Sequence, residues 1–64
     1  MQTNTMKTDR DNVLRVLAEK PLKLFAVMQR ANIRNEEECH QLLLKMRDEG
    51  LVKFDINTGY WRKS

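Results

Sequence analysis

Apolar positions fall at helical spacing three times along this chain and then switch to alternation. Val13, Leu14 and Leu17 form the first set, flanked by Val16 and Ala18. Leu24, Val27, Met28 and Ala31 form the second, at i, i+3, i+4 and i+7, and Cys39, Leu42, Leu43 and Met46 form the third. Val52, Phe54 and Ile56 then alternate with Lys53 and Asp55, which is the period of a strand.

The punctuation between these sets predicts where each element starts and stops. Thr8 reads as an N-cap with Asp11 three positions on, so residues 1–7 are read as a flexible N-terminal tail and 8–64 as one domain. Pro21 disfavours the helical region for its predecessor, so the first helix stops by Lys20 and Leu22-Lys23 is a brief extended link. Asn32 tolerates the left-handed conformation that closes a helix, and Ile33 is an apolar residue in the short turn that follows. Asn35 caps the third helix with Glu38 at N3, and that helix runs over about 35–49, with Gly50 just past its end. Asn57-Thr58-Gly59 supplies the chemistry of a hairpin turn, and Tyr60-Trp61-Arg62 returns as the partner strand. The core predicted from these periods is Val13, Leu14, Leu17, Leu24, Val27, Met28, Ile33, Cys39, Leu43, Met46, Val52, Phe54 and Trp61.

Length and charge narrow the function. A chain of 64 residues buries only about 60% of its surface and holds one core, which leaves no room for a multi-part enzyme fold. No apolar run approaches the roughly 20 residues of a membrane span, and the polar start lacks an apolar signal segment. The single cysteine excludes an intrachain disulfide, and a cytoplasmic location is the expectation. The net charge of +3 is unevenly spread, with +3 over 21–35, −3 over 36–50 and +2 over 51–64. A basic balance favours polyanionic partners, whereas the acidic third helix argues against a surface that grips nucleic acid all round.

Three helices followed by a hairpin resemble the winged helix-turn-helix superfamily, a small α+β class. The resemblance rests on Val27-Met28-Gln29-Arg30-Ala31-Asn32-Ile33, on Leu43-x-x-Met46-Arg47-Asp48-Glu49-Gly50-Leu51-Val52, and on Gly59-Tyr60-Trp61. It covers roughly Thr8 to Lys63, and in size and layout it is similar to small phage and enterobacterial transcription regulators. The resemblance implies a DNA-reading third helix, a hairpin wing on the DNA backbone and an aromatic, here Trp61, packed back on the first helix. Two departures stand out: the turn between Ile33 and Cys39 is about one residue longer than the commonest pattern, and Glu36-Glu37-Glu38 opens the reading helix.

On a helical wheel the third helix turns Cys39, Leu42, Leu43 and Met46 inward. Glu37, Gln41, Leu44 and Asp48 fall on the outward arc, flanked by Glu38, His40 and Lys45. The candidate DNA contacts are Arg30, Arg34, His40, Gln41, Lys45, Lys53, Arg62 and Lys63. Glutamine reads adenine, lysine reads guanine or phosphate, and the bases of the turn and wing clamp the backbone. The alternative is a protein-interaction module, or a homodimer, whose surface is Glu37, Gln41, Leu44 and Asp48 around an exposed leucine. Carboxylates in a first helical turn also interact favourably with the helix dipole, which explains the three glutamates without a partner.

Catalytic chemistry finds little footing. Cys39 and His40 point about 100° apart on a helix and form no nucleophile–base pair, and two neighbouring ligands do not make a zinc site. Asp55-x-Asn57-x-Gly59 faintly resembles a calcium loop, but its glycine comes one position early and no twelfth-position Glu follows. No enzyme activity, metal, cofactor or small-molecule ligand is predicted.

Overall fold

A computed structural model of the chain describes residues 5–64, with side chains from residue 9 onward. The order is α1 (Thr5–Glu19), α2 (Leu24–Arg30), α3 (Glu36–Asp48), β1 (Val52–Asp55) and β2 (Tyr60–Lys63). Three helices followed by a two-stranded antiparallel hairpin form the expected winged helix-turn-helix topology.

Helix α1 begins three residues before Thr8, which is therefore an interior position and not the N-cap. No Pro or Gly lies upstream of Thr8, and extending a nucleated helix by one residue is cheap. Of the seven residues read as a tail, 5–7 are helical and 1–4 lie outside the described residues.

The end of α2 and the start of α3 are closed by backbone chemistry that the residues dictate. Asn32 adopts φ 61°, and the N–H groups of Asn32 and Ile33 turn back to the carbonyls of Gln29 and Met28. This satisfies carbonyls that a helix end otherwise leaves unpaired, and the apolar residue after the turn, Ile33, is buried. Asn35 accepts a hydrogen bond from the Glu38 N–H at 2.8 Å, so it is the N-cap of α3 as expected. The same closure ends α3, with Gly50 at φ 82° and the Leu51 N–H bonded to the Met46 carbonyl.

The hairpin pairs Val52 with Lys63, Lys53 with Arg62, Phe54 with Trp61 and Asp55 with Tyr60. Its turn is held by the Asp55 side chain, which accepts from the Asn57 N–H at 2.9 Å, and by Gly59 at φ 79°. Leu22 adds a one-residue bridge on the other edge of β2: its N–H donates to the Trp61 carbonyl, and the Trp61 N–H donates back at 2.7 Å. The link after Pro21 thus staples the start of α2 to β2, burying Leu22.

The core comprises Val13, Val16, Leu17, Leu22, Val27, Ala31, Ile33, Cys39, Leu42, Leu43, Met46, Val52 and Trp61, all apolar. Four residues predicted for it sit further out. Leu14, Leu24 and Met28 are half-buried at its margin, and Phe54 is 40% exposed at the edge of the sheet, its ring 4.9 Å from Trp61. Val16, Leu22, Ala31 and Leu42 take their places, because short helices in so small a domain are enclosed from more than one side. Ile56, expected to share a strand face with Val52 and Phe54, falls in the turn after β1 ends and is 83% exposed. Asn12 of α1 donates from its amide to the Ala31 carbonyl at 3.4 Å, and Arg10 pairs with Glu49 at 2.7 Å. These two contacts tie α1 to the closing turns of α2 and α3.

Candidate functional site

Helix α3 is the element around which the candidate residues gather, and its burial pattern sets what each can do. Cys39, Leu42, Leu43 and Met46 face the core. Glu37, Gln41, Lys45 and Asp48 are exposed on the opposite ridge. Leu44 is not out on that ridge: it is half-buried and packs against the core's margin. The wheel treats one arc as core and the rest as solvent, whereas the start of α2 and the hairpin wrap one flank of α3 and partly cover Leu44.

Two grooves run along α3. The first, between α3 and α1, is lined by Asp9, Asn35, Glu37, Glu38, Gln41, Leu42 and Lys45. It joins Gln41 and Lys45, one helical turn apart, but sets them among three carboxylates. The second, between α3, the start of α2 and the hairpin, is lined by Lys23, Leu24, Phe25, His40, Leu44, Arg47, Phe54, Gly59 and Trp61, and contains no carboxylate. His40 belongs to this second groove, with its ring edge-on to Trp61 at 6.5 Å. The structure therefore separates His40 from Gln41 and Lys45, with which it was grouped.

Arg30 ends α2, Arg34 lies in the turn to α3, and both are exposed. Lys53 and Arg62 are cross-strand neighbours on the hairpin, with Lys63 at its end, and all three are exposed. Among the described residues the ion pairs are Arg10–Glu49 at 2.7 Å and Arg47–Asp48 at 3.5 Å, so Arg30, Arg34, Lys45, Lys53, Arg62 and Lys63 have no carboxylate partner. The Asp55 carboxylate, also on the hairpin, is engaged with the Asn57 amide.

Ionisation follows these placements. The hydrogen bond from Arg10 holds the Glu49 carboxyl below its usual range and raises Arg10 in turn. Burial pushes the Cys39 thiol up to about 11, with Asp9 and Glu36 adding to the effect. Cys39 is thus a protonated core residue, while His40 beside it in sequence lies on the groove. Among the described residues no three His, Cys, Asp or Glu side chains group to hold a metal ion, and no helix is long and apolar enough to cross a membrane.

Sequence reasoning missed Phe25 and assigned Lys23 and Arg47 no role. Phe25 carried a usable signal, because a large aromatic one position after Leu24 lies off the stripe of α2. Compared with known protein families, curated proteins and solved structures, the chain matches none.

Proposed function

We propose that this chain is a winged-helix DNA-binding protein of transcription control, acting in the cytoplasm, with α3 in the major groove and the hairpin on the sugar–phosphate backbone. The observation that carries the reading is the cross-strand pair Lys53–Arg62. Like charges directly opposite each other weaken a hairpin, and among the described residues neither Lys53 nor Arg62 forms an ion pair with a carboxylate. A polyanion supplies the missing counter-charge, and Lys63, Arg30 and Arg34 extend the same unpaired positive character to the end of the wing and to the helix-turn-helix bend.

In this reading α3 selects more than it attracts. Glu37 and Glu38 repel phosphates but accept from the cytosine amino group, and Gln41 beside them reads adenine. Affinity then resides in the wing and the bend, and base preference in Gln41 and its acidic neighbours. The test is titration of fluorescent duplexes of varied sequence. Arg62→Ala should weaken all of them alike, and Gln41→Ala should relax preference at one position by about 1–3 kcal/mol. Binding unaffected by loss of Arg62, Lys53 and Lys63 together would overturn the proposal.

A further inference from the structure

The groove beside His40 combines features that duplex DNA does not use. Phe25 is 54% exposed and Phe54 40% exposed, and both line it together with the half-buried Leu24 and Leu44. Exposed apolar surface gathered in one concavity and rimmed by polar groups marks a docking site more often than scattered exposed residues do. Lys23 and Arg47 stand among the lining residues, and the Lys23 ammonium lies 5.8 Å from the Tyr60 ring centroid. The nearby carboxylate, Asp48, meets Arg47 only at 3.5 Å with its side chain 74% exposed, a contact too loose and too wet to neutralise it. The groove on the opposite flank of α3 is lined by Asp9 of α1 and by Glu37, Glu38 and Lys45 of α3, so the two grooves are oppositely charged.

We infer that this groove docks an acidic segment of a partner protein, seating a leucine or phenylalanine between Phe25 and Phe54 with carboxylates against Lys23 and Arg47. A duplex keeps its bases stacked inside and offers the two phenyl rings only phosphates, which argues for a peptide over duplex DNA. A second copy of this chain fits poorly, because its acidic face between α1 and α3 offers only the buried Leu42 as an apolar anchor. Among the described residues its most exposed large apolar side chain, Ile56, rides on a hairpin bearing Lys53, Arg62 and Lys63, a surface as basic as the groove. The inference does not depend on the DNA reading, since none of the wing or bend bases lines the groove.

Trp61 is the sole tryptophan and lines the groove, so a tryptophan-free probe can be followed by its emission. The probe is a short synthetic peptide rich in Asp and Glu, with Leu and Phe one helical turn apart, added to the full chain. Saturable change in Trp61 emission is expected, with amide shifts confined to the surroundings of Leu24, Phe25, Leu44 and Phe54. Replacing the acids with lysine or the anchors with alanine should weaken binding at least about tenfold, as should Phe25→Ser in the chain. Phe25→Ser should keep the circular dichroism of the parent and its duplex affinity, which separates this inference from the proposed function. No binding, equal binding of the anchor-free acidic peptide, or displacement of the peptide from these residues by duplex DNA would overturn it. Shifts of the same residues with protein concentration alone would overturn it too, by showing a second copy in the groove.

Discussion

Leu43 and Leu44 are adjacent on α3, yet Leu43 is wholly buried and Leu44 lies half-covered in a groove between the hairpin and α2. Only the first placement follows from the period of the apolar residues, because the wheel is silent on which neighbours wrap the other flank. Cys39 tests the inward face directly. Its thiol is fully buried and its ionisation displaced upward to about 11. The thiolate is the reactive form, so labelling by a thiol reagent near pH 8 should be far slower in the native chain than in denaturant. Native and unfolded chains labelling at the same rate would place Cys39 at the surface.

At the scale of elements, the hairpin sets stability against partner binding. Arg62→Thr replaces a like-charge cross-strand neighbour of Lys53 with a β-branched residue suited to a strand. It should raise stability by about 0.2–1 kcal/mol in thermal unfolding while weakening duplex binding, two effects of opposite sign. Unchanged or lower stability would mean that the charges are already well screened in the free chain. The elements that sequence foretold best are those closed by local chemistry. Asn32, Asn35 and Gly50 end or begin helices where their backbone preferences put them, and Gly59 turns the hairpin. Features set by distant partners were not legible. The rung between Leu22 and Trp61 spans most of the chain, and α1 extends upstream of Thr8 because nothing local stops it there. Phe54 has the right parity for the core, but the sheet's edge leaves it open, and with Phe25 it turns a flank of α3 into a groove.

At the scale of the whole molecule, the Arg10–Glu49 pair links α1 to the end of α3 and gives stability a pH dependence. Glu49 is held below its unfolded value, so the pair's contribution is full at neutral pH and is lost as pH falls through the carboxylate range. Arg10→Ala should therefore flatten the decline in melting temperature between neutral and acid pH. A variant as acid-sensitive as the parent would show that the pair contributes nothing.

Bases without partners lie on the wing and the helix-turn-helix bend, and acids on the face between α3 and α1. The most direct measurement is the duplex association constant over a series of salt concentrations, for the chain and for Arg62→Ala. The expected result is a straight decline of log K against log salt, made shallower by about one unit when Arg62 is removed. Duplex binding that does not change with salt, or a slope the same in both proteins, would contradict it.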